Sequence, residues 1–596
     1  MSRNNDYNGN AGLKESKEAE IKETSGLSGY PAVDKPWLKY YSREAIESEV
    51  KESSLYDYIY ERNKNYPGDK AIEFYGKGIS YDELFATIRK LAGALYAHGV
   101  RKNDIVAVCL PAVPEVAYLV YALDYIGAIP NLLDPRYNGK LLKICMDEAP
   151  AKLLFTMDGC YDKFLDSGMQ EVPENIVLIS PLRSAPLRLR ILAKLATLKQ
   201  AKTKLRRKGD MWLDDFMNAA QPDEDIRVRD KDGGELAVLL HTGGSTGKPK
   251  GVMLSGFAAN SIANECMWLA REHAEYNRGF RLLDIIPPFA SYGFCVSLHF
   301  GLGAGITVDM VPKFDSARFG RLVVEHRSNV VVGVPSFFEA MAEDPVMKNE
   351  DLSFLKFAVC GGDSLTYERE SGINAFLNSH GSPARINAGY GMTEVGSVAT
   401  VCLGEMKKTG SIGVPLVKTM VKAVDPETGK DCRYNETGEI CIHSPGMMIG
   451  YWKDEELTAK TVRVHEDGLR WVHTGDLGYV TEEGFLIYQG RIKRLIVRYD
   501  GFKIYPQAVE EAITKHPAVS QCAVVRKMDE NLGAIAKAYM VLSNDAAAGA
   551  DPWDEILKIC AEELAERSVP QAHEIIDAMP VSSIGKIDYK ELEKRP

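Results

Sequence analysis

Apolar residues along the first half of the chain alternate between two spacings. Over residues 81–98 they recur every three or four positions, which predicts a helix with one buried face. Residues 105–110 have the sequence IVAVCL, a short run rich in β-branched side chains that is typical of a buried strand. A helical pattern returns over 116–126, and a second strand is predicted over 236–240, directly before a glycine-rich segment.

This alternation of helix and strand patterns continues to about residue 308 and predicts an α/β fold with mixed or parallel sheets. No repeat of 20–50 residues is present, which argues against a solenoid or a propeller. Residues 1–30 are rich in Asn, Gly, Ser, Glu and Lys, so we expect a disordered arm there.

The segment 183–208 differs from its surroundings because it holds ten lysines and arginines and no acidic residue. Pro186 suits the first turn of a helix, and four apolar residues follow at helical spacing, namely Leu187, Ile191, Leu195 and Leu198. One interpretation is a basic amphipathic helix that attaches to an anionic membrane surface. The other is a helix that packs on the body of the protein and turns its basic side to solvent.

The composition of the 596 residues, with 45% hydrophobic and 26% charged side chains, is that of a globular protein. A net charge of −11 argues against a surface built to bind nucleic acid. The 11 cysteines occur singly, without a C-x-x-C pair, which argues against zinc ribbons and disulfide scaffolds. With no predicted signal peptide or membrane span, we expect a cytoplasmic protein, peripheral at the inner face of a membrane if the basic segment binds there.

Residues 239–252 contain the densest chemical pattern, LLHTGGSTGKPKGV. Small residues let backbone N–H groups approach phosphate oxygens, while hydroxyl and lysine side chains add donors. A Walker A loop is excluded because Thr242 stands where its first glycine belongs and Pro249 follows Lys248. The candidate phosphate-binding residues are Thr242, Gly243, Gly244, Ser245, Thr246, Gly247 and Lys250.

This loop resembles the signature of the adenylate-forming superfamily, which includes acyl- and aryl-CoA synthetases. Gly243 and Ser245 replace a serine and a threonine of the family form. The resemblance implies that ATP activates a carboxylate, that pyrophosphate is released and that the acyl group passes to a thiol, with Mg²⁺ and CoA required. It also implies a large N-terminal domain of stacked α/β subdomains (31–490) and a small, mobile α+β C-terminal domain (491–596).

Further motifs follow in the family's order. Residues 387–396 (NAGYGMTEVG) resemble its second signature, which implies that Tyr390 stacks on adenine, Thr393 binds the α-phosphate and Glu394 holds Mg²⁺ as a catalytic residue. Thr246 is a second implied catalytic residue. The remaining implied nucleotide contacts in this region are Gly391 and Met392, together with Gly362, Asp363 and Ser364 of the VCGGDSL segment.

The last third of the chain carries the parts that the family moves between its two half-reactions. Asp476 is implied to bind the ribose with Arg491 as a second donor, and Lys493 falls at the domain hinge. Gly501 is implied to let the pantetheine arm pass and Lys503 to contact phosphate. Near the end, PVSSIGKID resembles the family's final motif, which implies that Lys586 is the catalytic lysine of adenylation.

Three residues bear on the acid. Gly391 stands where short-chain members carry an aromatic side chain, so the resemblance implies an open acyl tunnel. In the gating motif PPFASYG, Phe289 is followed by Ala290 in place of the usual histidine, which predicts a roomier and less polar pocket mouth. We therefore expect a medium- or long-chain fatty acid or a similarly hydrophobic acid.

Alternatives stay open at this point. The chain could load its acyl or aryl group onto a carrier-protein thiol, which a requirement for free CoA would distinguish. A P-loop NTPase would release phosphate from ATP, where the leading hypothesis predicts AMP and pyrophosphate. A nonenzymatic binding module would need all of the motif groups to be vestigial.

Overall fold

A computed structural model describes residues 27–169, 173–196, 205–220, 226–228, 233–243, 248–273, 276–362, 365–500, 502–529, 533–543, 551–581 and 587–595. At positions 193–196, 243, 273 and 368 it describes the backbone alone.

The strands are numbered along the chain. They are β1 Lys70–Phe74, β2 Lys77–Ser80, β3 Ile105–Cys109, β4 Ile129–Leu132, β5 Leu153–Met157, β6 Asn175–Ile179, β7 Met211–Trp212, β8 Leu236–Gly243, β9 Pro249–Ser255, β10 Arg281–Asp284, β11 Thr307–Met310, β12 Val330–Gly333, β13 Phe357–Gly361, β14 Ile386–Tyr390, β15 Thr400–Cys402, β16 Val414–Pro415, β17 Met420–Val424, β18 Gly438–His443, β19 Gly450–Tyr451, β20 Val462–Val464, β21 Arg470–Val480, β22 Leu486–Arg491, β23 Ile496–Val497, β24 Lys503–Ile504, β25 Val519–Asp529, β26 Gly533–Leu542 and β27 Ala572–Ile575.

Helices connect these strands. The α-helices span Pro31–Asp34, Arg43–Glu47, Leu55–Asn63, Tyr81–Ala97, Pro114–Tyr125, Gly139–Glu148, Tyr161–Leu165, Leu187–Ala196, Leu213–Met217, Gly256–His273, Phe300–Ala304, Phe319–His326, Pro335–Glu343, Tyr367–Ser379, Glu455–Thr461, Pro506–Thr514, Trp553–Glu563 and Tyr589–Lys594. A π-helix spans Tyr292–His299, and 3₁₀ turns span Pro36–Tyr40, Asp158–Cys160, Ser316–Arg318, Pro345–Asn349, Thr393–Val395, Gly404–Met406, Ile492–Arg494 and Glu566–Ser568.

Two large mixed sheets form the body of the protein. The nine-stranded sheet has the order β16-β15-β14-β13-β12-β10-β11-β1-β2, and its strands from β14 to β1 run parallel. The eight-stranded sheet has the order β19-β9-β8-β4-β3-β5-β6-β7, with β9 and β19 antiparallel at one edge. One apolar core joins them, because Val106 and Val108 of the second sheet cluster with Leu282 and Val308 of the first.

Local sequence explains the helices between these sheets. The predicted helix over 81–98 is confirmed as Tyr81–Ala97, and it begins with a capping box in which Ser80 and Glu83 exchange hydrogen bonds. The predicted strand over 105–110 is confirmed as β3. The helix Pro114–Tyr125 is buried on every face, because it lies in the core that joins the two sheets.

Three smaller sheets follow. Strands β17, β18, β21, β20 and β22 form a five-stranded antiparallel sheet that ends at Arg491. Beyond it, β23 pairs with β24, and β25, β26 and β27 form a separate sheet with its own apolar core. The predicted fold class is confirmed: a large N-terminal α/β part is followed by a small α+β part.

The N-terminal segment contacts the body of the protein. In the described part of the arm, the backbone carbonyl of Gly29 accepts a hydrogen bond from the backbone N–H of Tyr434, so the attached segment begins before Pro31.

All 11 cysteines are free thiols, and nine are buried. Among the described residues, the helices are too short or too polar to cross a membrane.

Candidate active site

The carboxyl ends of the parallel strands bring two motifs side by side. Gly361 at the end of β13 is the direct partner of Gly389 on β14. Gly362 follows with a φ of +78°, a conformation that favours glycine. Tyr390 ends the neighbouring strand, so the two segments that resemble walls of an adenine pocket lie next to each other.

Asp476 joins this strand end to the five-stranded sheet. Its Oδ2 accepts a hydrogen bond of 2.6 Å from the hydroxyl of Tyr390, and its Oδ1 lies 2.8 Å from Nε of Arg491. Asp476 and Arg491 are direct partners across β21 and β22. The carboxylate is 3% exposed and the guanidinium 55% exposed, so Arg491 forms the open side of the pair.

Hydrogen bonds stabilise the turn that carries Asp476. Its backbone N–H donates to Oγ1 of Thr474 over 3.0 Å, and that hydroxyl donates to the carbonyl of Ile440 over 2.8 Å. The N–H of Gly475 donates to Oε1 of Glu439 over 3.0 Å. Two of these three hydrogen bonds tie the turn to β18, the adjacent strand.

Glu394 lies in a second group of contacts. Its Oε1 accepts a hydrogen bond of 2.6 Å from the hydroxyl of Tyr451. Nζ of Lys250 lies 5.4 Å from the centre of the Tyr451 ring, and Lys250 is the direct partner of Thr242 across β8 and β9. The base of the glycine-rich loop therefore stands close to the candidate Mg²⁺ ligand.

The pKa values of the two tyrosines are raised by their surroundings. Burial and the neighbouring Asp476 carboxylate raise the pKa of Tyr390 well above its usual value. Burial and Glu394 likewise raise the pKa of Tyr451. Both phenols keep their protons at physiological pH, so they act as hydrogen-bond donors to the two carboxylates.

The gating motif lies against the second signature. Oγ of Ser291 and Oγ1 of Thr393 are 3.1 Å apart, which places residues 287–293 beside the candidate α-phosphate contact. Phe289 is 8% exposed, with the guanidinium of Arg136 5.3 Å from its ring. Ala290, at the pocket mouth in the sequence prediction, is partly exposed.

The structure gives a backbone reason for the glycine at 391. A Cβ on Gly391 would lie 2.0 Å from the carbonyl oxygen of Ser397 and 2.7 Å from Cα of Val398, both backbone atoms. Close backbone approach therefore requires glycine here whatever the width of an acyl tunnel. The role of Gly391 in the acyl pocket stays a prediction.

The candidate hinge lies between two anchored arginines. Arg491 pairs with Asp476 of the five-stranded sheet, whereas Arg494 pairs with Glu510 of the helix Pro506–Thr514. Lys493 is exposed between them, in the 3₁₀ turn Ile492–Arg494.

The structure gives contacts for two further predicted site residues, Lys503 and Met392. Lys503 donates to Glu427, an exposed residue of the large part, over 2.8 Å. Met392 packs against the apolar core of the five-stranded sheet. The predicted residues Gly244, Ser245, Thr246, Gly247, Asp363, Ser364, Gly501 and Lys586 lie outside the described residues.

Sequence analysis missed four supporting side chains. Tyr451 contacts Glu394, and Ser291 contacts Thr393. Glu439 binds the N–H of Gly475 beside Asp476, and Arg494 pairs with Glu510 next to the candidate hinge. The contacts of Tyr451, Glu439 and Arg494 span 16 to 57 positions, and no local pattern marks these residues. Ser291 belongs to the gating motif, but nothing in that motif predicts its contact with Thr393, 102 positions away.

Comparisons with known proteins agree with this arrangement. A sequence model of the AMP-binding enzyme family matches residues 59–452, and one of the AMP-binding enzyme C-terminal domain matches residues 508–586. The chain belongs to the AMP-binding enzyme family. It is similar to a long-chain-fatty-acid–CoA ligase of Bacillus subtilis (strain 168), with 29% identity over 557 residues that cover 93% of this chain and 96% of that protein.

A second relative is the 4-coumarate–CoA ligase 2 of Solanum tuberosum, with 28% identity over 525 residues, 87% of this chain and 88% of that protein. The solved structure of ATP-bound MatB from Rhodopseudomonas palustris has the same fold, with a TM-score of 0.74, 24% identity and coverage of 91% of this chain and 99% of that one. The chain is an adenylate-forming CoA ligase, an AMP-forming acid–thiol ligase.

Proposed function

We propose that the chain activates a hydrophobic carboxylic acid, a medium- or long-chain fatty acid or one of similar polarity, and transfers it to CoA. The observation that carries this choice is the contact of Ser291 with Thr393 at 3.1 Å. It places the apolar segment around Phe289 and Ala290 next to the residue proposed to hold the α-phosphate. An acid bound with its carboxylate at Thr393 would extend its body along apolar side chains, whose burial favours binding.

The first step joins the acid to ATP. A carboxylate oxygen attacks the α-phosphorus, the bond to the β-phosphate oxygen breaks, and pyrophosphate leaves with the electron pair. Lys586 and Thr393 would neutralise and bind the α-phosphate oxygens, which gain charge in this step. Asp476 would accept hydrogen bonds from the ribose hydroxyls, and the Tyr390 ring would lie against adenine.

Glu394 fits the role of a Mg²⁺ ligand. A carboxylate oxygen is the hard donor that Mg²⁺ prefers, and the ion typically binds one or two carboxylates together with substrate phosphates. The Tyr451 hydroxyl fixes the orientation of the Glu394 carboxylate by donating to Oε1. The bound ion would supply charge neutralisation on the pyrophosphate.

The second step forms the thioester. The CoA thiolate attacks the acyl carbonyl, the carbon–oxygen bond to phosphate breaks, and AMP leaves. Rotation at Lys493 would withdraw Lys586 and bring Gly501 and Lys503 toward the site. The two anchored arginines on either side of Lys493 support this placement of the hinge.

A panel of acids in ATP–pyrophosphate exchange, repeated as a coupled assay with CoA, tests the proposal. We expect exchange with C8–C18 fatty acids or ring acids, and acyl-CoA with AMP as products. Selective exchange with an α-amino acid would overturn the hydrophobic acid. Exchange without product from free CoA, with product from a pantetheinylated carrier protein, would favour the carrier-loading alternative.

We also propose that the helix Leu187–Ala196 binds an anionic membrane surface. Leu187 is 68% exposed, Ile191 49% and Leu192 59%, while Leu189 packs on the core. The apolar side chains that a packed surface helix would bury therefore face outward. Arg188 and Arg190 are exposed beside them, a combination that suits anionic lipid.

Vesicle sedimentation tests this contact. We expect the protein to bind phosphatidylglycerol vesicles but not phosphatidylcholine vesicles, and less at high salt. The double variant Leu187→Ser with Ile191→Ser should lose binding, and Val346→Ser, which alters an apolar side chain 43% exposed elsewhere, should keep it. Equal binding by both variants would contradict the proposal.

A further inference from the structure

Three metal-binding side chains meet in the five-stranded sheet, behind the turn that carries Asp476. They are Cys441 of β18, His473 of β21 and His465 of the turn between β20 and β21. One ligand atom from each lies within 4.8 Å of the others. We propose that Cys441, His465 and His473 form a transition-metal site of the zinc type.

The register of the sheet creates this cluster. Cys441 and His473 are direct partners across the antiparallel strands β18 and β21, so their side chains lie on the same face. The β20–β21 hairpin then brings His465 over the pair, and its Nε2 lies 2.9 Å from Nε2 of His473. At this distance one ring N–H donates to the other ring nitrogen, and a bound cation would take the place of that shared proton.

The donor set matches zinc better than the hard cations. A thiolate and two imidazoles suit Zn²⁺, Co²⁺ or Ni²⁺, whereas Mg²⁺ and Ca²⁺ prefer oxygen. With Zn–S near 2.3 Å and Zn–N near 2.0–2.1 Å, tetrahedral ligand atoms stand roughly 3.3–3.7 Å apart. One ligand atom from each of the three residues lies within 4.8 Å of the others, so side-chain rotations that draw these atoms closer together would complete the geometry. The fourth position would be open to water.

A carboxylate already orients one of the ligands. Oε2 of Glu439 accepts a hydrogen bond of 2.7 Å from Nδ1 of His473. Protein metal sites typically pair a ligating histidine with such a carboxylate, which fixes the ring and leaves the other nitrogen for the metal. The other oxygen of Glu439 holds the N–H of Gly475.

Burial and charge set the conditions for binding. Cys441 is fully buried and His473 is 8% exposed, while His465 is partly exposed and provides a path for entry. Burial raises the pKa of the Cys441 thiol, so metal binding must release its proton. The nearby ammonium of Lys422 is paired with Asp431 and Asp467, at 3.0 and 3.5 Å, which offsets its repulsion of a cation.

The site would be coupled to the nucleotide. Glu439 connects the ring of His473 to Gly475, the residue directly before Asp476. A metal that fixes His473 would therefore restrain the turn that presents the proposed ribose ligand, and we expect it to lower the KM for ATP. This consequence, unlike the metal site itself, rests on the proposed function.

Cobalt binding tests the site directly. The chelator-treated full-length protein is titrated with Co²⁺ while Mg²⁺ is in excess, and its absorption spectrum is recorded. We expect one ion per chain, with visible bands of a tetrahedral site and a thiolate-to-cobalt charge-transfer band in the near ultraviolet. Displacement of the spectrum by Zn²⁺ would support the assignment, and a missing charge-transfer band in the wild-type protein would overturn it.

Variants separate the site from neighbouring side chains. Cys441→Ser should lose the charge-transfer band, and Glu439→Gln should weaken Co²⁺ binding by about 10- to 100-fold. His465→Gln, in a partly exposed turn, should weaken it at least as much and fold normally. The controls Cys432→Ser and His443→Gln alter a cysteine and a histidine outside the cluster and should bind Co²⁺ like the wild type.

The metal site and the proposed function can fail separately. Absent cobalt binding with normal pyrophosphate exchange would overturn the metal site, reduce the cluster to a hydrogen-bonded group and leave the function standing. Normal cobalt binding in a protein that exchanges no pyrophosphate with any acid would do the reverse. A KM for ATP that does not change with Zn²⁺ would overturn the coupling.

Discussion

The hydroxyl of Tyr390 donates a 2.6 Å hydrogen bond to Oδ2 of Asp476, a residue 86 positions away in the chain. This contact fixes the ring proposed to lie against adenine by means of the carboxylate proposed to bind the ribose. The two side chains proposed to contact one nucleotide are therefore held in fixed relative positions before it binds, which reduces the entropy lost on binding.

Removal of the charge at Asp476 should weaken ATP binding. We expect Asp476→Asn to raise the KM for ATP in pyrophosphate exchange by about 10- to 100-fold, because it loses charge-assisted hydrogen bonds. Tyr390→Phe, which loses only the neutral hydroxyl, should cost about 2- to 10-fold. An equal effect of both variants would contradict the assignment of the ribose to Asp476.

Lys586 should act in one half-reaction only. Lys586→Ala should abolish formation of the acyl-adenylate, since the attack on phosphorus loses its cation, and it should spare thioester formation from a supplied acyl-adenylate. Lys594→Ala, which changes an exposed lysine of the terminal helix, serves as the control. Single-turnover measurements that show equal loss in both steps would rule out this division of labour.

Restricting the backbone at Lys493 should impair thioester formation and spare adenylation, the reverse of what we expect for Lys586→Ala. Lys493→Pro restricts the backbone between Arg491 and Arg494, so we expect pyrophosphate exchange to continue and acyl-CoA formation to fall by about 100-fold. Lys493→Ala removes the same side chain without restricting the backbone and should retain both steps. Unchanged overall turnover of the proline variant would place the hinge elsewhere.

Gly391→Ala distinguishes a structural glycine from an open tunnel. The new Cβ would meet the carbonyl of Ser397 at 2.0 Å, so we expect the free energy of unfolding to fall by about 1–3 kcal/mol and activity to fall for acids of every length. Gly372→Ala is the control, since a Cβ there meets no atom within 4 Å. Normal thermal stability with a shift toward short acids would instead support the tunnel.

Stability should depend on pH through Glu265. Burial raises the pKa of this carboxyl from about 4.5 to about 8, although the backbone N–H of Lys418 donates to it. Between these values the folded chain holds a proton that the unfolded chain releases, so the group's contribution to stability falls as pH rises through this window. Glu265→Gln should therefore raise the melting temperature near pH 8–9 and change it little near pH 5.

The matched control for Glu265 is Glu405→Gln, which alters an exposed carboxylate. It should change the melting temperature equally little at both pH values. A Glu265→Gln effect that is the same at pH 5 and pH 9 would show that packing, rather than ionisation, accounts for it.

Helices and strands with a regular spacing of apolar residues could be predicted from the sequence alone. The apolar spacing over 81–98 predicted a helix, and the β-branched run at 105–110 predicted β3, because each element buries its own periodic face. The motifs around Tyr390 and Asp476 are also short and local, and they were recognised by their resemblance to the family's signatures.

Contacts between distant segments depended on the tertiary structure. Tyr451 contacts Glu394 across 57 positions, and Ser291 contacts Thr393 across 102, and no local pattern encodes these side-chain contacts. The need for glycine at 391 arises from a backbone that approaches from the following loop.

The sequence by itself determined the family and the fold class, because those depend on residue type and spacing, and on the same basis it predicted which side chains carry the chemistry. Only the tertiary structure decided that Leu187 and Ile191 face outward and that Cys441, His465 and His473 meet. The exposure of a helix face and the partners of a strand depend on sheet register and packing. These are properties of the whole chain, and residues close in sequence do not specify them.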